Sequence, residues 1–519
     1  MPADDRRSSL VISEFMADNT SSLTDEDGDF SDWIEIHNQS PEVADLGGWS
    51  LTDDPTKPEK WSFGSLVLQP NERIVVFASG KDQPRIRTIE QDGEIELLHT
   101  NFKLNAEGGF LALYAPTARR YLDATALNYP PQIRDVSFGR YQEPAGEAGF
   151  GYLVEPTPGE ANLAPTWKGA VEPVSFDVER GYYDQPFDVK LRSETEGAMI
   201  RYTVDGSDPS AETGAFYAGP IAISNTTVLR AAAFVPEYRP SPSTTQTYIF
   251  LDDVVAQPAQ PDGFPETWGQ HHISFAGYTE GEPRLADYEM DPDIVLDPTY
   301  GPQMRDALLA LPTLSLVTDL SNLDIYAEPG KRGPESERPV SVELFYPDGS
   351  QPGFQINSGI RIQGGAGRWE FMPKHSFRLF FKRDYGPTTL SAQLFPDSPV
   401  SEFETLTLRA GVDRSYAGHP PAEGESANHR ATTYTRDEWG RDAQIAVSGV
   451  GSHGIFVHLY LNGLYWGIYN VVERPDNAFA ASYMGGVKEE WFSANHGGAV
   501  DGQMDRFNVL IQLAEEGGL

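Results

Sequence analysis

Apolar residues in this chain come in short alternating runs broken by turn residues, the period-two signature of β-strands rather than the 3.6-residue repeat of helices. The first run, Leu10-Val-Ile-Ser-Glu-Phe-Met-Ala17, is followed by the acidic turn Asp25-Glu-Asp-Gly-Asp-Phe-Ser-Asp32 and by Trp33-Ile-Glu-Ile-His37. With further runs at Ile74–Ala78 and Gly109–Tyr114 it predicts an antiparallel sandwich over residues 8–164. A second strand-rich segment covers 174–250. In it Phe187–Leu191, Met199–Val204 and Thr227–Phe234 surround the turn Asp205-Gly-Ser-Asp-Pro209, whose residues suit positive φ and a fixed bend. Residues 251–311 hold prolines and no sustained period, and read as a connector with one short helix near Gln303–Leu309.

The third segment, 312–519, alternates strands with one helix. Strands are expected at Thr313–Val317, Val340–Phe345, Ile360–Ile362, Ser376–Phe381 and Thr405–Arg409. Trp439, Ala443 and Ala446 follow helical spacing within Tyr434–Ala446. A hairpin is expected where His453–Leu461 and Tyr465–Val472 flank Asn462-Gly463. The fold class is therefore mainly β and multidomain: two immunoglobulin-like sandwiches followed by an α+β domain.

Composition narrows the chemistry. The 519 residues exceed one ordinary core. The 49 glycines and 40 prolines suit many turns, and 39% hydrophobic residues suffice to build cores. A net charge of −38 repels nucleic acid and anionic lipid, and suits high salt or a calcium-rich exterior. The absence of cysteine excludes disulfides, cysteine zinc sites and thiol nucleophiles. No apolar run is long enough to span a membrane. Neither Gly-x-Ser-x-Gly nor His-Glu-x-x-His occurs, so hydrolase chemistry has no motif.

Four sets of residues remain as candidates. Gly359-Ile-Arg-Ile-Gln-Gly-Gly-Ala-Gly-Arg368 leads into Pro373-Lys-His-Ser-Phe-Arg-Leu-Phe-Phe-Lys382. Here Gly364, Gly365 and Gly367 could cradle a phosphate with backbone N–H groups, with Lys374, Arg361 and Arg368 as cations. The aromatic strand Asn462–Val472 ends in Glu473 and Asp476. Asp25, Asp27, Asp29 and Asp32, with Gly28 at the bend, form either an oxygen-ligand calcium loop or a plain acidic turn. His271-His272 is a metal-capable pair with no third ligand at a telling distance.

Three resemblances rest on these phrases. Ile12–Asn19, Asp32–Asn38, Asp45–Asp53 and Pro156–Asn162 resemble a lamin-tail domain, a small immunoglobulin-like binding or spacing module. Ile200–Pro209 resembles the fibronectin-like module found C-terminal in chitobiases. The glycine turn with Lys374, and Asn462–Asp476, resemble the CotH kinase-like family. That resemblance implies an ATP-dependent protein kinase with magnesium, Val471–Glu473 against adenine and Asp476 near ribose. It also implies an acidic partner for Lys374 on the helix, Asp437 or Glu438, although Asp437 could equally pair with Arg441 on one helix face. The family's metal-binding aspartates fall in a later segment. Asp501 resembles its aspartate-glycine turn, or caps a helix. The kinase-like domain is accordingly expected to be truncated and its catalysis doubtful, with the catalytic residues unknown. The modules imply a protein-substrate or cell-surface glycan or protein partner. They imply an extracellular or cell-envelope location too, which requires a leader removed or not included. The alternative is a non-catalytic envelope adhesion or scaffold protein.

Overall fold

The computed structural model describes all residues except 1–9, 90–92, 116–119, 122–127, 143–147, 163–164, 275–277, 373, 412–432, 496–497, 503 and 517–519. The chain divides into two compact units, Met1–Glu172 with Phe234–Ser241, and Pro173–Ala233 with Pro242–Leu519.

The first unit is built on a seven-stranded sheet. Its strands are β1 (Leu10–Met16), β2 (Trp33–Asn38), β3 (Arg73–Phe77), β4 (Gln83–Ile89), β5 (Gly93–His99), β6 (Ser137–Gln142) and β7 (Ala148–Leu153), in the order β7-β6-β1-β2-β3-β5-β4. A four-stranded sheet that includes Ser50–Thr52 and Ala112–Ala115 supplies the second layer. Ile12, Phe15, Ile34 and Ile36 from the first layer share one buried core with Leu51, Trp61, Leu111 and Leu113. A bulge between Ile12 and Glu14 interrupts the β1–β2 register and leaves Glu14 opposite Glu35. Both glutamates are fully buried. They hold the exit segment: Thr157 donates to Glu14 through its N–H (3.0 Å) and its hydroxyl (2.7 Å), and the Gly159 N–H donates to Glu35 at 2.7 Å. Asn162 donates to the Ser13 carbonyl at 2.8 Å. The stretches Ile12–Asn19, Asp32–Asn38 and Pro156–Asn162 thus meet in one network of buried acceptors and donors. Burial, and Glu14 alongside, push the Glu35 carboxyl up to about 7.

In the second unit β8 (Met199–Thr203), β9 (Thr227–Phe234) and β10 (Thr244–Ile249) lie within a five-stranded sheet. The next seven long strands close into a barrel: β11 (Thr313–Val317), β12 (Arg338–Phe345), β13 (Phe354–Gln363), β14 (Ser376–Phe380), β15 (Thr405–Arg409), β16 (Gly454–Leu461) and β17 (Leu464–Glu473). The order around it is β11-β12-β13-β14-β15-β17-β16, closed by parallel pairing of β11 with β16. Closure removes the sheet edges. Alternate residues such as Leu316, Val342, Ile360, Phe377, Leu408, Val457 and Tyr469 fill the interior. Asn462 (φ 49°) and Gly463 (φ 83°) make the tight hairpin turn between β16 and β17.

The outer face of β11 and β12 receives the strand before the connector. Glu343, fully buried, accepts from the Thr247 N–H at 3.1 Å and from the Thr247 hydroxyl, and lies 3.4 Å from Arg180. The Thr247 and Ser315 hydroxyls meet at 2.8 Å. The connector is packed rather than loose. Arg284 is buried and donates to the carbonyls of Trp268, Tyr326 and Ala327, and Trp268 stacks on Tyr326 at 4.6 Å. Its short helices include Met304–Leu308, close to the expected position. Between β15 and β16 lies α1 (Arg436–Ser448), and after β17 come α2 (Asn477–Met484) and α3 (Asp505–Glu515). Among the described residues no helix is long and apolar enough to cross a membrane.

Candidate functional site

β13 runs into the glycine turn and β14 leaves it, with Gln363 opposite Ser376. Gly364 has φ 126°, a backbone state that a side chain would strain. The turn is held through its carbonyls. Arg368, only 7% exposed, donates to Gly364 O at 2.8 Å and to the Pro329 and Lys331 carbonyls. Burial brings its guanidinium down to about 10. His375 meets Gly367 O at 2.8 Å, and burial lowers this imidazole to about 4, so it stays neutral. Arg368, expected to face a phosphate, is a strut across the turn.

Lys374 turns inward. Its Nζ donates to Ile468 O at 2.8 Å and sits 4.5 Å from the centre of the Tyr469 ring, which faces the barrel interior. Part of the residue's surface stays open, while its ammonium is desolvated and brought down to about 7. A Cβ on Gly467 would lie 2.7 Å from this nitrogen, so glycine at 467 makes room for the amine. The glycine turn and the amine therefore do separate things here: carbonyls of the turn bind Arg368 and His375, and the amine binds β17.

The helix expected to supply an acid for Lys374 does not reach it. Asp437 pairs with Arg409, and Glu438 pairs with Arg441 and accepts from Asn470 at 2.8 Å. Asn470 is the neighbour of Tyr469 on β17 and faces the other side of the strand. The acids of α1 thus lie outside the barrel wall and the amine inside.

The end of β17 is also committed internally. Val471 and Val472 are buried, and Val471 belongs to the barrel core. Glu473 accepts from the His453 N–H at 2.8 Å and from the Tyr483 hydroxyl at 2.9 Å, and lies 3.0 Å from His453 Nδ1. Asp476 caps α2 by accepting from the Phe479 N–H at 3.1 Å, and lies 3.5 Å from Arg378. Burial raises the Asp476 carboxyl. Asp501 ends a hairpin strand, Gly498–Asp501, and accepts from the Ser493 hydroxyl at 3.0 Å. It precedes α3 by more than a cap position, so it is no helix cap.

Arg361 stands apart from Lys374. It faces outward on β13, opposite Arg378, and lies 3.6 Å from Glu337. Sequence reasoning passed over its companions Arg378, Lys382 and Arg474. The alternation Arg361, Ile362 and Arg378, Leu379 was the available signal, because it sets both cations on one face.

In the first unit the acidic turn brings Asp25, Asp27 and Asp29 together, with ligand oxygens within 4.8 Å of one another. Lys81 occupies that point, 2.8, 2.6 and 3.1 Å from the three carboxylates. Desolvation opposes charge on Asp25, but hydrogen bonds from Lys81 and Ser31 hold its carboxyl below the usual range. Asp32 is not in the cluster. Burial raises its carboxyl to about 6, against hydrogen bonds from the Asn19 and Leu104 backbone. Of the two readings of this turn, a calcium loop or a plain acidic turn, the calcium position is taken by the Lys81 ammonium. Lys81→Gln should lower the melting temperature by a few degrees at low salt and less at 1 M salt, since three facing carboxylates lose their counter-charge. Differential scanning calorimetry at two salt concentrations checks this. His271 and His272 share a carboxylate, Glu370 lying 3.8 and 2.7 Å from their Nδ1 atoms.

Comparison with known families gives two matches. The Lamin Tail Domain matches residues 4–127, and the Chitobiase/beta-hexosaminidase C-terminal domain matches residues 178–246. The chain matches no curated protein.

Proposed function

We propose that this chain is a multidomain binding protein, whose two β-sandwich modules engage a glycan or protein on a cell surface and whose barrel is a structural carrier. Location outside the cell or in its envelope belongs to the same reading. Recognition of both modules supports the binding role. The observation that carries the second half is Lys374. Its ammonium is spent on the Ile468 carbonyl and the Tyr469 ring, inside the wall that separates it from Asp437 and Glu438. Phosphoryl transfer requires such a lysine on the phosphates and carboxylates on the metal.

A second reading, an ATP-dependent CotH-like protein kinase using magnesium, keeps one observation in its favour. The desolvated amine of Lys374 has no carboxylate partner among the described residues, the state of a cation kept for an incoming anion. Thermal denaturation of the full chain with magnesium and ATP separates the two. The binding reading expects no stabilisation that Lys374→Ala removes. A saturable rise that disappears in Lys374→Ala would replace it with the kinase reading. Retention of the full chain on immobilised cell-surface glycans or proteins tests the module role directly.

A further inference from the structure

The outer barrel face holds a cation cluster for which no ligand has been assigned. Antiparallel pairing puts Arg361 on β13 directly opposite Arg378 on β14. Phe380, the next outward residue on β14, lies beneath three cations. Arg361 is 4.4 Å from its ring centre, Arg378 4.6 Å and Lys382 4.7 Å. Arg474, just past β17, adds a fourth charge that bears on both arginines. The ring face attracts each cation, but the cations repel one another.

Of the acids nearby, Glu337 pairs closely with Lys382, and the arginines have only longer contacts. Glu337 holds Lys382 at 2.7 Å and lies 3.6 Å from Arg361. Asp476 lies 3.5 Å from Arg378 and 3.8 Å from Arg474 while it caps α2, and the charge of Asp501 reaches Arg378. Arg378 donates to the Thr405 hydroxyl at 3.4 Å. The Nε–H groups of Arg361, Arg378 and Arg474 are buried and have no acceptor among the described residues. Arg378 as a whole is nine-tenths buried. Buried donors without acceptors are costly, and forked guanidinium groups fit tetrahedral oxyanions in particular. In a chain of net charge −38 the grouping is the more unusual.

We infer that Arg361, Arg378 and Arg474, with Lys382 at the rim, form a binding site for a tetrahedral oxyanion, a phosphate or a sulfate. Its charge offsets that of the guanidinium groups and relieves the repulsion among the cations. A cavity of about 350 Å³ reaches the cluster only at Arg474, and it also carries the carboxylates of Glu402, Glu404, Glu473 and Asp476, so the anion sits on the arginines outside it. The site depends neither on the sandwich modules nor on Lys374.

Thermal denaturation of the full chain at constant ionic strength, with chloride exchanged for pyrophosphate or for sulfate, tests it. A saturable rise in melting temperature with either anion is expected. A rise with pyrophosphate alone assigns phosphate, and one with sulfate alone assigns sulfate. Lys382→Gln should weaken the binding by about three- to tenfold, and Arg361→Gln should abolish it. Lys374→Ala should leave it unchanged, which separates this site from a lysine-dependent nucleotide site. No rise beyond chloride with either anion overturns the inference, and so does unaltered affinity in Lys382→Gln. If Arg361→Gln fails to fold, the rim variant decides.

Discussion

Replacing Lys374 with methionine should make this protein more stable at neutral pH, not less. The amine is held at about 7 against an ordinary 10.5, and desolvation is the cause. Between these values the unfolded chain carries a proton on Lys374 that the folded chain does not. Folding stability therefore rises as pH increases from about 7 to about 10.5, and below 7 the whole penalty is felt. The gap corresponds to a ceiling of about 5 kcal/mol. The partial exposure of the residue and loss of the bond to Ile468 O reduce what methionine can recover, to about 2–3 kcal/mol. Methionine fits because it follows the same unbranched path past Gly467 and meets Tyr469 with its sulfur. Melting curves of both proteins from pH 6 to pH 10 check this. The wild type should gain stability across that range, and Lys374→Met should start higher and lose that gain. A lower melting temperature for the variant at pH 7 would mean that the amine is a net stabiliser.

Glu343 predicts the opposite. It is the buried acceptor that joins the second sandwich segment to the barrel, through Thr247, Ser315 and Arg180. Glu343→Leu should cost about 3–5 kcal/mol, because Arg180 loses its counter-charge and the Thr247 N–H and hydroxyl lose their acceptor in a dry place. The loss should appear as a calorimetric transition splitting in two, as the segment before residue 251 uncouples from the barrel. Glu343→Gln should be much milder, since its amide oxygen still accepts from Thr247. Burial lifts this carboxyl to about 7, above an ordinary 4.5. In that window the folded chain holds a proton that the unfolded chain has released, so stability falls as pH rises from about 4.5 to 7. Glu35 contributes in the same window and direction. Glu343→Gln should flatten that slope. Combined with Lys374, the wild type should have its stability minimum near neutral pH.

Much of this was legible in the chain. Thr313–Val317, Thr405–Arg409 and Thr227–Phe234 are strands at the expected bounds; the first two alternate threonine or serine with leucine, and the third is a mainly apolar run buried on both faces. The hairpin at Asn462-Gly463 followed from the two residues that tolerate positive φ. The phrases around Glu14, Glu35 and Asn162 marked the first module, and the structure explains them as donors and acceptors of one buried network. The candidate site was less legible. Gly364, Gly365, Gly367, Arg368 and Lys374 are adjacent in sequence. Adjacency could not tell that Arg368 would bind carbonyls or that Lys374 would enter the barrel.

Sequence alone determined many of the strands and which two modules the chain carries, since period, turn chemistry and motif wording are local properties. Only the tertiary structure decided that seven strands close on themselves, that Lys81 fills the acidic turn, and that Arg361 joins Arg378 and Arg474 rather than Lys374. Each of these depends on residues far apart in the chain meeting across a sheet. A charged side chain takes its role from the desolvation and partners it finds there.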